Sequence, residues 1–333
     1  MNCLSRVVLF LFVTAALASA QSAPPAAGED FSTPSLATNR LHPAPPELVE
    51  HSEEPGYVSE WITVSWRADD PIYLYVVRPT GVKKPPVVVY LYDYPAETDV
   101  FRDDDWCART TAGGYAAVGF VPALSGHRYH NRPMKEWFVS ELQEALGKSA
   151  HDVQMVLNYL AERGDVDMNN VGMFGVGAGA TIATAAASAD SRIKALDLVD
   201  PWGDWPVWMA KSNVVPEEER SNYLKPDFLQ RIAAFDPVAL LPGITIPRVR
   251  LNQSAAGSGT PQRASQKIAA ALPAGAEHHF FANSAQFDQM AAQGGSGFDW
   301  IKQQLKVAHS KETGTRKMSK TSTESRHPGL RNN

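Results

Sequence analysis

Asn169–Ala185, NNVGMFGVGAGATIATA, is the stretch from which the rest of the chain is read. An apolar, β-favouring run (Val171, Met173, Phe174) breaks into the glycine-rich GVGAG of Gly175–Gly179, and a small-residue helix follows through Ala180, Ile182 and Ala183. The expected order is strand, sharp turn, helix.

Two mechanical devices have that order. In the nucleophile elbow, GxSxG, a serine on a strained turn presents its hydroxyl above a sheet. In the dinucleotide fingerprint, GxGxxG or GxGxxA, glycines let the backbone approach a pyrophosphate at a helix N-terminus. Read as an elbow, Gly177 stands where the serine would be; read as a fingerprint, Gly175, Gly177 and Ala180 match fully.

The flanking sequence favours the elbow. In Glu141–Gly164, Leu142, Leu146, Val153, Leu157 and Leu160 recur at helical spacing and form one apolar stripe. The polar link DVDMNN separates that helix from the strand. A long helix with Asp152 near its middle, a DxDxxN link and VGMFGxGxG together resemble the region before the elbow in α/β-hydrolases of the dienelactone hydrolase and acetyl xylan esterase branch. The resemblance covers Val58–Lys306. It implies an α/β fold with a mostly parallel central sheet, helices on both faces and a small insert after the sixth strand.

Composition narrows the function classes. A net charge of -5 gives no basic surface for nucleic acid. Of two cysteines, Cys3 lies in the leader, so Cys107 would have no intrachain partner after export. Residues 1–20, with Arg6, the apolar run Val7–Ala18 and Ala18-Ser19-Ala20, read as a signal peptide cleaved near Ala20. This predicts a secreted or periplasmic protein without a permanent membrane anchor. Residues 21–50, rich in Pro and Ala, read as a linker or edge-hugging arm. A hydrolase-like domain is expected over 51–308, with the insert at about 201–237. Residues 309–333 carry six Lys or Arg against two Glu and read as a disordered tail.

Within the domain, Val58–Val64 and Ile72–Pro79 read as a hairpin, and Val87–Tyr92 as a strand buried on both faces. Where the resembled family carries His-Gly beside its oxyanion hole, this chain has Tyr92-Asp93-Tyr94. A carboxylate has the wrong sign for an oxyanion site, so Asp93 is either a turn cap or a ligand contact. The loop after the strand Tyr115–Pro122 holds His127, Arg128, Tyr129, His130 and Arg132, a polar cluster that is either solvated or directed into the crevice. Trp202, Trp205 and Trp208 follow the strand ending in Asp200 and either line an apolar site or pack the insert.

The remaining positions implied by the resemblance read unlike a Ser, acid and His set. The acid position has Asn252, Gln253 and Ser254, and the histidine position, Ser284-Ala285-Gln286-Phe287, has Ala285; His278 and His279 fall inside the last strand. No catalytic residue is therefore assigned, and no metal or cofactor site is expected. The expected function is a non-hydrolytic small-molecule binding or accessory protein, with pocket candidates Tyr92, Asp93, His127, Tyr129, His130, Gly177, Ala178, Asp200 and Trp202. Two alternatives stand beside it: a carboxyl-ester hydrolase with relocated residues, such as Asp200 with His127 or His130, and a dinucleotide-binding protein using Gly175–Ala180 with Asp197 or Asp200 on the ribose.

Overall fold

The computed structural model describes residues 29–36, 45–67, 70–94, 99–123, 128, 141–255, 259–291 and 297–305. Expectations about 1–20, the three positions His127, Tyr129 and His130, and 309–333 lie outside them.

Nine strands form one sheet: β1 Glu47–Glu54, β2 Tyr57–Val64, β3 Ile72–Pro79, β4 Pro86–Leu91, β5 Ala116–Phe120, β6 Asp167–Val176, β7 Ile193–Val199, β8 Arg248–Ser254 and β9 Glu277–Phe281. Their spatial order is β1-β2-β3-β5-β4-β6-β7-β8-β9. The first pairs through β3–β5 are antiparallel, and every pair from β5 to β9 is parallel. The continuous apolar run of β4 follows from burial on both faces. Val87, Val89 and Leu91 belong to one core, and Val88 and Tyr90 to the other.

The first core is covered by α2 (Leu142–Arg163), α3 (Ala178–Ala189) and the segment after β7. The second is covered by α1 (Asp104–Thr111), α6 (Ser284–Ala291) and α7 (Gly297–Gln304). Helix α2 ends at Gly164, which is left-handed at φ 70° and returns its N–H to Leu160 O, a glycine C-cap. The polar residues between α2 and the elbow strand do not form a separate link: Asp167–Asn170 are the first four residues of β6.

The insert begins with α4 (Trp205–Lys211), continues through the short helices Arg220–Tyr223, Pro226–Ile232 and Pro237–Leu240, and returns to β8; α5 (Gln262–Ala270) then leads to β9. It follows the seventh strand rather than the sixth, because Glu47–Glu54 adds an edge strand within and just beyond the stretch read as a linker. That strand is exposed along nearly its whole length, so no alternation marks it; pairing with β2 makes it. Residues 29–36 are also bound to the domain. Leu36 is buried in the first core, its N–H donates to Gln154 Oε1 at 3.0 Å, and Glu29 pairs with Arg67 and His151.

These contacts join a buried ionic network on α2. Asp152, with no exposed surface, accepts from Trp66 Nε1 at 3.0 Å, from Arg128 Nη1 at 2.7 Å and from Arg67 Nη1. Arg128 also grips Asp70 through two bonds of 3.0 and 2.8 Å. Arg128, the one described member of that polar cluster, is thus engaged with Asp70 and Asp152.

Candidate functional site

Strands β4, β6 and β7 are adjacent and parallel, and the chain leaves all three at the same edge, through Asp93, Gly177 and Asp200. That edge of an open α/β sheet is where ligand crevices form. Gly177 has φ 53° and ψ -119°, outside the region open to residues with a Cβ, and its N–H donates to Val199 O at 2.8 Å. The turn passes directly into α3, as the sequence predicts for an elbow. Gly179 is required for a different reason: a Cβ there would lie 2.4 Å from Leu91 O.

The space above the turn is filled by Asp93. A Cβ built on Gly177 would meet Asp93 Cγ and Oδ1 at 2.0 Å and Oδ2 at 2.2 Å. Asp93 Oδ1 accepts from the Tyr94 N–H at 2.9 Å and from the Ala178 N–H at 2.7 Å. The first bond is the turn cap expected of this residue. The second was not visible in the sequence: the N–H after the elbow residue is one of the two donors that form the oxyanion hole in this type of turn. A carboxylate oxygen already occupies it, at the positive end of α3.

This carboxyl is half-buried, and burial, reinforced by the negative charge of Asp200, pushes its pKa up to about 7 despite the two N–H donors. Asp200 is itself buried and holds a left-handed backbone at φ 46°, with its N–H donated to Asn252 O at 2.9 Å. A non-glycine residue at such φ stores about 1–3 kcal/mol of strain. Among the described residues, no group of three or more His, Cys, Asp or Glu side chains is placed to hold a metal ion.

The other expected site residues divide clearly. Ala178 lies at the turn with its side chain buried. Tyr92 does not face the elbow. Strand alternation turns it to the opposite core, where its hydroxyl accepts from Trp106 Nε1 at 2.7 Å. Trp202 packs 4.8 Å from Trp208, and Trp205 meets Trp208 edge-on at 5.8 Å. All three are buried and pack the insert onto α3, with Trp202 O accepting from Thr181 Oγ1 at 2.8 Å. Ala285 is exposed at the start of α6. His278 bonds Gln253 Oε1 at 3.0 Å and His279 lies 3.6 Å from Glu277, both on the exposed β9.

Asn252, at the acid position, supports a structural pair on the neighbouring strand. Asp197, fully buried in β7, is gripped by Arg250 at 2.9 and 2.6 Å and accepts from Asn252 Nδ2 at 2.9 Å. Burial still lifts its pKa to about 6 against these partners. Asp197, one of the two acids offered for a ribose, is thus paired inside the sheet, and the helix N-terminus that would take a pyrophosphate holds the Asp93 carboxyl.

Comparison with known proteins agrees with the architecture. Residues 72–199 match the dienelactone hydrolase family. Among solved structures, an acetyl xylan esterase from Paenibacillus sp. R4 is 18% identical, with a TM-score of 0.61 over 76% of this chain and 84% of that one. Acetyl xylan esterase 1 from Thermoanaerobacterium sp. JW/SL YS485 is 13% identical, with a TM-score of 0.59 over 72% and 81%. An S-formylglutathione hydrolase from Agrobacterium tumefaciens is 15% identical, with a TM-score of 0.58 over 78% and 100%. At these identities the likeness is one of fold. No curated protein matches the chain by sequence.

Proposed function

Starting from a chain that has the α/β-hydrolase fold and whose residues 72–199 match the dienelactone hydrolase family, we propose an exported protein that does not hydrolyse esters by a serine mechanism and instead serves as a small-molecule binding or accessory protein. One observation carries this reading: the Asp93 carboxyl sits where an elbow side chain would emerge and takes the Ala178 N–H that an oxyanion would need. Acyl transfer in this fold requires a nucleophile, a base and donors aimed at the developing charge. Here Gly177 offers no attacking atom, and the donor is already bound to the Asp93 carboxyl.

No helix among the described residues is long and apolar enough to cross a membrane, which accords with the absence of a permanent anchor in this proposal. The test is direct. The purified chain is expected to take no label from a fluorophosphonate probe and to turn over no short-chain p-nitrophenyl ester. Labelling at any serine, or turnover that co-purifies with the chain, ends the proposal.

A second reading is supported by the Asp93 carboxyl, which exchanges its proton near neutral pH beside Asp200. In a carboxyl-ester hydrolase with relocated residues, this group would act as general base toward water. Turnover that Asp93→Asn abolishes would favour it.

A further inference from the structure

A concavity lies at the other end of the sheet, separated from the elbow strand by β3, β5 and β4. A groove of about 480 Å³ runs between β1, β2 and the N-terminal end of α1. Its floor is aromatic: Trp61 stacks on Tyr75 at 5.7 Å, and Tyr75 on Phe101 at 5.4 Å. Its rim carries the exposed carboxylates of Glu50, Glu54, Asp99, Asp103 and Asp104. Two of these are held in place, since Asp103 caps α1 through the Trp106 N–H at 2.8 Å and Asp104 accepts from Tyr57 Oη at 2.9 Å.

The groove already holds one cation of its own. The Arg102 guanidinium lies 5.1 Å from the Trp61 ring centre and pairs with Glu50 at 2.9 Å. A guanidinium resting on an aromatic face beside a carboxylate is the contact this surface is built to make. A single arginine leaves most of the rim charge uncompensated. The complementary ligand is a polypeptide segment bearing Lys and Arg side chains.

The chain contains such a segment. Residues 306–333, which lie outside the described residues, carry seven Lys or Arg against two Glu. They follow α7, whose Lys302 Nζ donates to Ala112 O at 3.3 Å, while Tyr115 Oη donates to Leu305 O at 3.5 Å. The segment therefore starts beside the C-terminal end of α1, and the groove lies at the N-terminal end of the same helix. Eight helical residues span about 12 Å, and 28 residues of chain reach several times that distance at about 3.3 Å each. Tethering supplies an effective concentration in the millimolar range, so weak ionic contacts suffice.

The geometry points to the acidic, aromatic-floored groove as the docking site of the chain's own basic C-terminal segment, a site independent of the elbow. Zero-length carbodiimide cross-linking of the full chain, read by mass spectrometry, tests it. Amide links are expected between Lys311, Lys317 or Lys320 and Glu50, Glu54 or Asp99, within monomers. They should fall several-fold at high salt. In Glu50→Gln/Glu54→Gln/Asp99→Asn, whose exposed positions leave the fold intact, links to the remaining rim carboxylates Asp103 and Asp104 should fall several-fold as well. Links spread evenly over other surface carboxylates overturn the proposal. So do groove links found only in covalent dimers, or groove links unchanged by salt.

Discussion

Substituting Gly177 by alanine separates two costs that the structure assigns to that position. The backbone at φ 53° and ψ -119° is strained for any residue with a Cβ, by about 1–3 kcal/mol. Independently, the new methyl would lie 2.0 Å from Asp93 Cγ, an overlap of the kind that costs about 1–3 kcal/mol when neighbours must move. Together they predict a loss of roughly 2–6 kcal/mol. Only the second cost depends on residue 93. Asp93→Ala alone should cost about 1 kcal/mol through the lost Ala178 cap. In the double variant the collision disappears, so the two effects should sum to about 1–3 kcal/mol more than the pair actually loses. Denaturant unfolding of the four proteins, followed by circular dichroism, measures this coupling. Gly177→Ala as stable as the parent, or effects additive within about 0.5 kcal/mol, would refute the plugged-elbow geometry.

Further outcomes follow from the same structure. The folded chain holds a proton on Asp93 that the unfolded chain releases, so stability should fall as pH rises from the ordinary 3.8 to about 7, and the fall should be shallower in Asp93→Asn when midpoints are compared across pH. Asp197 contributes in the same direction up to about 6 and should remain in that variant. Asp152→Ala leaves the buried Arg67 and Arg128 without their shared acceptor and should cost about 3–5 kcal/mol in unfolding free energy. Leu36→Ala should cost about 2–5 kcal/mol if residues 29–36 are part of the cooperative fold, and almost nothing if they are a loose arm. Gly177→Ser alone should take no fluorophosphonate label, because its Cβ would lie within the Asp93 carboxyl.

The parts of the fold legible in the sequence were those whose periodicity is local. The stripe on α2, the two-faced run of β4 and the small-residue start of α3 each report their burial within a few residues. The edge strand β1 was not legible: ELVEHSEE is polar on both sides, and its hydrogen bonds come from β2. Residues 29–36 carry one core residue, and their attachment depends on α2 residues more than a hundred positions away. At the site, the resemblance set Asp93 against the family's His-Gly and Gly177 against its serine. The sequence did not show that these two residues meet, which only the register of β4 against β6 reveals. The sequence left open whether the tryptophans line a site or pack the insert, and it placed Tyr92 at the pocket because aromatic content does not state which face a side chain takes.

The contact between Asp93 and the bare turn at Gly177 also couples the substitutions open to the two positions. A hydroxyl introduced at position 177 while Asp93 stands would collide with its carboxyl, and a shortened residue 93 over an unchanged glycine gains no reactive group. Neither single change places a reactive side chain above the sheet, so the two positions are coupled, and only a paired exchange would open the turn.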